Sequence, residues 1–365
     1  MKRMLIITSP MDQGGAETFL MKVYRALDKT KYQFDFYVMG NRGFYDDEII
    51  GLGGKITYGP MKSEGFFAYR KSLKNFLKNN MYDYVYRAMA NSLASLDLFY
   101  AKKYGKAKTL VARSMIAEPS RDFIQCLFMP LLRSVSTVKV APSTEAGLFM
   151  FGKRSVRKNN VNILMNGIDT SLFVFDNKTR IEKRSELTLD KNEILFIHIG
   201  RFSKQKNQLE LADIFKKIVS LKENARLLCI GSGDEKEDFI KKCEKLNILH
   251  KIIFLEQRKD INELLMAADL MLLPSLFEGL PNVIMEAQAT GLPCLVSDTV
   301  TKECNVTNLV FFDKLGNSKK WAEESLNILD NNLNLREENA KKFPVKYDIN
   351  QIVEQFVQIV FNDKK

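Results

Sequence analysis

The chain has 365 residues, 45% of them apolar, 10% aromatic and 27% charged, with nine prolines and no repeat at a fixed period. Such a composition excludes disorder, collagen-like and other low-complexity classes, and the length suits two domains or one large one. The net charge of +11 is one-sided: residues 1–165 carry 26 Lys/Arg against 13 Asp/Glu, and residues 166–365 carry 29 against 31.

In chain order, the start MKRMLIITSP is basic, but its apolar run of four residues falls short of the roughly 7–15 of a signal peptide. No stretch reaches the ~18–20 apolar residues of a membrane helix, so the expected compartment is cytoplasmic. Strands are predicted at Met4–Ser9, Phe34–Met39, Lys55–Tyr58, Tyr82–Tyr86, Thr109–Ala112, Val138–Ala141 and Asn162–Met165. Helical periods at Ala16–Leu27, Phe66–Leu77 and Leu93–Lys103 fall between them. A polar, charged stretch, Asp176–Asn192, separates this half from the next. There the predicted strands are Ile194–Ile199, Arg226–Ile230, Ile252–Leu255, Leu270–Leu273 and Cys294–Val296. The predicted helices are Gln208–Ser220, Glu235–Lys245, Ile261–Ala267 and Val283–Ala289. Repeated strand–helix alternation implies an α/β fold of two doubly wound parallel-sheet domains. Ligands of such sheets bind beyond the carboxyl ends of the strands, so the turns there are the places to seek chemistry.

Three of these turns stand out. Asp12-Gln13-Gly14-Gly15-Ala16-Glu17 opens the first helix, with paired glycines that admit a ligand close to free backbone N–H groups. Gly200-Arg201-Phe202-Ser203-Lys204-Gln205-Lys206-Asn207 crowds three cations at a sheet edge, as a phosphate site requires. Gly231-Ser232-Gly233-Asp234 is a second glycine-rich turn of the same type. The most informative segment runs from Leu272 through Pro274, Glu278, Gly279, Leu280, Pro281, Asn282 and Val283 to Glu286. Pro281 stands where a helix should begin, so Glu278 and Glu286 flank a helix N-terminus that favours anions. Neither a P-loop nor a G-x-G-x-x-G fingerprint occurs. Five cysteines without a C-x-x-C pair, and only two histidines, fit neither a disulfide framework nor a zinc site.

With these residues in view, the second half resembles the retaining glycosyltransferases of family 4, which have the GT-B fold, over nearly its whole length. Glu278 and Glu286 match that family's E-x7-E motif, Arg201 and Lys206 its donor-phosphate pair, and Leu255-Glu256-Gln257-Arg258 its base-binding turn. The first half is similar through GGAETFLMKVYRALDK and through NGID at Asn166–Asp169. The branch it looks most like builds bacterial capsule and exopolysaccharide. The resemblance implies two domains facing each other across a cleft: an acceptor domain over 1–170 and a nucleotide-sugar domain over 171–345. It also implies that 346–365 is a C-terminal helix returning to the first domain.

By the same resemblance Glu278 contacts the transferred sugar, Arg201 and Lys206 neutralise the leaving diphosphate, and Glu286 holds the ribose. Asn207, Gly231, Gln257, Arg258 and the Gly279–Val283 segment complete the donor site, and Gly14 and Gly15 close on it from the first domain. Neither metal nor other cofactor is expected, and the sequence contains no D-x-D. One departure concerns the acceptor side. Members of this branch carry histidines after the fourth and fifth strands of the first domain, where this chain has Tyr84–Ala88 and Ala112-Arg113-Ser114-Met115-Ile116. Arg113, Met115 and Asn166 are the acceptor-side candidates in their place. His198 lies inside a strand and reads as a core residue.

The expected activity is therefore retaining transfer from a nucleotide diphosphate sugar, UDP in the first instance, to a growing lipid-linked polysaccharide. A weak or inactive GT-B partner subunit and a GT-B sugar-nucleotide epimerase remain alternatives. The missing histidines speak against the epimerase, which needs acid/base groups at the sugar. No nucleic-acid motif accompanies the charge. The basic first domain instead suggests docking on the inner face of a membrane through Gly65–Asn80 or Arg121–Arg133. In the first segment Phe66, Leu73, Phe76 and Leu77 share a face beside Lys71, Lys74 and Lys78. In the second Phe123, Ile124, Leu127, Phe128 and Leu131 lie between arginines.

Overall fold

The computed structural model describes all residues except 13, 64, 116–121, 333, 334 and 363–365. Among the described residues the strands form two wholly parallel sheets. The first contains β1 (Lys2–Thr8), β2 (Tyr32–Met39), β3 (Ile56–Gly59), β4 (Tyr84–Met89), β5 (Thr109–Ser114), β6 (Val138–Ala141) and β7 (Asn162–Ile163), in the order β3-β2-β1-β4-β5-β6-β7. The second contains β8 (Ile194–Ile199), β9 (Ala225–Ile230), β10 (Ile252–Leu255), β11 (Leu270–Leu273), β12 (Cys294–Ser297) and β13 (Val310–Asp313), in the order β10-β9-β8-β11-β12-β13. Helices cover both faces of each sheet, so central strands such as LFIHI and LMLL are apolar in nearly every position.

The chain divides into two compact units, Met1–Ile168 with Lys346–Lys365, and Asp169–Val345. In the first unit one face of the sheet packs on the helices Gly15–Ala26 and Ile349–Phe361. The Phe356 and Phe361 rings lie against Phe34, Tyr86, Tyr32 and Tyr84. The other face packs on the helices Phe66–Asn79, Ser95–Tyr104, Phe123–Val135 and Thr144–Phe151. In both units strand order reverses beside the first strand, between β1 and β4 and between β8 and β11. There the turns splay apart and leave room for a ligand.

Within the charged stretch Asp176–Asn192, Asn177–Glu186 is a helix of the second unit, docked by charge. Arg180 donates to the carbonyls of Met266, Ala267 and Ala268, which end the helix Ile261–Ala267, and Lys183 pairs with Asp260 and Glu263. Cations at a helix C-terminus meet its unsatisfied carbonyls, an anchor that hydrophobic period does not reveal. Of the apolar face expected on Gly65–Asn80, Leu73 and Leu77 are buried and Phe76 packs on Tyr37 and Tyr82, whereas Phe66 is 38% exposed beside the exposed Phe67. Arg121, of the other segment expected at a membrane, lies outside the described residues. No helix among the described residues is long and apolar enough to cross a membrane.

Candidate active site

In the second unit four successive turns at the carboxyl ends of the strands are stitched edge to edge. The Gly231 N–H donates to the Leu255 carbonyl at 3.0 Å, joining the turns after β10 and β9. Gly200 N–H to Ile230 carbonyl at 3.0 Å and Phe202 N–H to Ser232 carbonyl at 2.9 Å join those after β9 and β8. Across the strand-order reversal, Leu276 N–H donates to the Gln205 carbonyl at 2.8 Å, and Gln205 Nε2 to the Phe277 carbonyl at 3.0 Å. Glycine is required where the turns touch: at Gly231, with φ +140°, a Cβ would lie 2.3 Å from the Gly200 carbonyl oxygen.

This rim gathers most of the donor-side candidates of the second unit. Lys206 ends a short 3-10 turn, and its Nζ donates to Glu278 Oε1 at 2.6 Å across the reversal. The two side chains are 17% and 10% exposed, so the pair is largely desolvated. The Glu278 backbone is fixed from the other side by a bridge to Val300. Asn207 adopts the left-handed conformation that turns the loop into the helix Gln208–Leu221, and its Nδ2 donates to the Pro274 carbonyl at 3.2 Å. Arg201 is exposed, with Asp234 3.8 Å away. Gly279, Leu280 and Pro281 are buried, and the helix Asn282–Ala289 opens with Pro281 at its cap, one residue before the start expected for it. The Asn282 and Val283 amides thus lead the helix, and Glu286 is half-buried one turn further in.

The turn after β10 offers exposed Gln257, but Arg258 brings no free charge. Its guanidinium pairs with Asp260 and Glu186, which raises the Arg258 pKa and holds the Asp260 carboxyl well below its usual range.

His198 is a core residue of β8, as its position inside a strand implied, and its hydrogen bonds reach the loops of the rim. It is fully enclosed on β8. Nδ1 donates to the Leu272 carbonyl of β11 at 2.9 Å, which leaves Nε2 to accept from Gln208 Nε2 at 3.2 Å. Gln208 also donates to the Arg201 carbonyl at 2.9 Å. This chain of bonds ties β11 to the cationic loop. Burial pushes the His198 pKa down to about 4, so the ring is neutral near pH 7.

The remaining candidates belong to the first unit. Gly14 caps the helix Gly15–Ala26, and the Glu17 carboxyl, its pKa raised by burial, folds back towards that turn. Arg113 is 3% exposed, stacked 3.6 Å from the Phe19 ring centroid and donating to Asn166 Oδ1 at 2.6 Å. Its guanidinium clasps β5 to the first helix and to the NGID segment. Met115 packs half-buried beside this clasp. Among the described residues no three His, Cys, Asp or Glu side chains could hold a metal ion.

The family description "Glycosyl transferases group 1" matches residues 179–343, which contain the whole rim. The candidate glycosyltransferase EpsF of Bacillus subtilis is 31% identical over 337 residues, covering 88% of this chain and 86% of that protein. The capsular polysaccharide biosynthesis glycosyltransferase CapH of Staphylococcus aureus is 26% identical over 98% of both chains. Among solved structures, Anabaena HepE in complex with UDP-glucose superposes with a TM-score of 0.81 at 18% identity, over 100% of both chains, a likeness of fold.

Proposed function

The chain belongs to the glycosyl transferases group 1 family, and from that premise we propose that it moves a sugar, with retention and without a metal, from a nucleoside diphosphate. UDP is the nucleotide we put first, as in the HepE complex. The acceptor we assign is a growing, lipid-linked cell-surface polysaccharide, in keeping with the capsular relative. The carrying observation is the Lys206–Glu278 pair, desolvated and fixed where the second sheet reverses its strand order.

Lys206 and Arg201 oppose the charge that grows on the departing diphosphate, aided by the leading amides of the helix Asn282–Ala289. Glu278 holds the sugar, Glu286 the ribose hydroxyls, and the Gln257–Arg258 turn the base. Attack comes on the face the diphosphate leaves, and a phosphate oxygen takes the acceptor proton. Chemistry of this kind needs positioning and electrostatic stabilisation more than a protein base, which suits a chain without the branch's acceptor-side histidines.

The test is incubation with UDP- and GDP-sugars, with and without EDTA, following nucleotide release and the anomeric configuration of the glycoside formed on lipid-linked acceptors. UDP release unchanged by EDTA and an α-product from an α-donor are expected. Inverted product, or activity lost with EDTA and restored by Mg²⁺, would overturn the respective part. Bound UDP with no release from any donor would point to a non-catalytic partner subunit.

A further inference from the structure

Gln208 opens the helix Gln208–Leu221 yet is 1% exposed, a place where a side-chain amide must find partners for its polar atoms. Among the described residues three partners meet this amide, and each dictates which end it faces. The Leu272 carbonyl can only accept, so His198 carries its proton on Nδ1 and presents a lone pair at Nε2. That lone pair takes one hydrogen of Gln208 Nε2, at 3.2 Å. The Arg201 carbonyl takes the other, at 2.9 Å. Oε1 is left to accept from the Ser203 N–H, at 3.3 Å. A reversed amide would set two acceptors or two donors face to face at all three contacts.

These contacts bear on both cations of the loop. The Arg201 carbonyl and the Ser203 N–H belong to the peptide groups on either side of Phe202, whose ring is buried against Phe239. The Ser203 carbonyl in turn accepts from the Lys206 N–H at 3.0 Å and the Asn207 N–H at 3.3 Å, closing the 3-10 turn that carries Lys206. One buried amide therefore fixes the backbone of Arg201 and the start of the turn that aims Lys206 at Glu278. The Arg201 side chain is 74% exposed, so little packing directs it, and its reach depends on the backbone that bears it. An apolar side chain of the same length would fill the same volume. What the amide adds is orientation, since a fully satisfied buried network rigidifies the segments it joins.

We propose that Gln208 is a positioning residue for the transfer reaction: oriented by the His198 lone pair, its amide holds Arg201 and Lys206 in one preset geometry toward the leaving diphosphate. Charge grows on the diphosphate as the sugar departs, and cations already in place need no rearrangement at that moment. Buried behind the loop, Gln208 acts through these two cations without reaching the ligand itself. The inference rests on the diphosphate role given to Arg201 and Lys206 in the preceding reading.

The experiment has two arms. The first reads the wild-type protein by nitrogen NMR of its two imidazoles, His198 and His250, with His250→Gln to assign them. The Nδ1–H tautomer of His198 is expected; the Nε2–H tautomer would reverse the amide and overturn the proposal. The second arm uses Gln208→Met, which keeps the length and drops all three bonds. It should lower kcat about 10²-fold, weaken UDP by a smaller factor, and leave uridine unaffected, because the cations count most in the transition state. In an Arg201→Ala background the same change should cost less, since one of the two cations it positions is gone. Gln208→Glu keeps the Ser203 bond but sets a carboxylate oxygen against the Arg201 carbonyl; it should show the same UDP-over-uridine pattern, and it serves where the Met variant does not fold. Uridine weakened as much as UDP, or an equal cost in both backgrounds, would make Gln208 merely structural and refute the assignment. A wild type that transfers no sugar would sink the glycosyltransferase reading alone, since the tautomer and the UDP affinities judge Gln208 without turnover.

Discussion

Glu278→Gln should separate the two partners of Lys206, the carboxylate that neutralises it in the free protein and the diphosphate assigned to it in the complex. Breaking a buried ion pair costs about 3–5 kcal/mol, because an uncompensated charge is left behind. With side chains 17% and 10% exposed, water reaches part of this pair, and about 2–3 kcal/mol is the reasoned loss. In a unit of this size that corresponds to a fall in melting temperature of about 5–10 °C. UDP should then restore stability, since it supplies the missing negative charge. A ligand at a hundred times its dissociation constant adds about 2.7 kcal/mol, and tighter binding by the variant should make its UDP-induced shift exceed that of the wild type. Lys206→Met should lose comparable stability, yet UDP should restore little of it. The double variant should lose less than the two single losses added together, because the charges are coupled. The assay is thermal unfolding of the four proteins with and without UDP, alongside transfer rates. Glu278→Gln should lower the rate by a factor on the order of 10²–10³, equivalent to about 2.7–4 kcal/mol. Equal UDP-induced shifts in the two single variants would refute the reasoning, as would strictly additive losses.

Gly231→Ala places a Cβ 2.3 Å from the Gly200 carbonyl oxygen; unfolding measurements should show a loss above about 1 kcal/mol, and calorimetry a weakened affinity for UDP. Acidification should expose His198, whose pKa of about 4 in the folded protein lies below its usual value. Between about pH 6.5 and 4 the unfolded chain takes up a proton that the folded one refuses. Stability should therefore rise with pH across that window, by up to roughly 3 kcal/mol, and His198→Gln should flatten that part of the denaturation profile. Arg201→Ala should weaken UDP roughly tenfold and leave uridine unaffected, whereas Glu286→Ala should weaken both; calorimetry showing the opposite pattern would exchange their roles.

Much of this protein is legible in its sequence because the signals are local. The alternation of short apolar runs with helical periods is set by neighbours within a few residues, and it locates nearly every central strand of both sheets. The turns after β8 and β11 could be singled out likewise, since a glycine, a proline and a cluster of charges are each visible within a ten-residue window. What anchors the Asn177–Glu186 helix in the second unit was not legible. The helix is held by arginines reaching carbonyls more than eighty positions away, and distance along the chain carries no trace of such bonds.

Burial follows the same division. Two helices of the first unit, Phe66–Asn79 and Phe123–Val135, both display apolar and basic residues at helical spacing. Periodicity states that a face exists, but not whether a sheet already covers it, and only the fold decides that Leu73 and Leu77 are enclosed while Phe123 and Leu127 face outward. The site itself divides in the same way. Sequence alone determined that Lys206 and Glu278 each stand in a turn at a strand's carboxyl end. Their contact at 2.6 Å, across 72 positions, and the alignment of His198 and Gln208 behind them arise only when β8 and β11 become neighbours. Residue type and spacing set what each turn can do, whereas strand order, a long-range consequence of packing every apolar face at once, sets which turns act together.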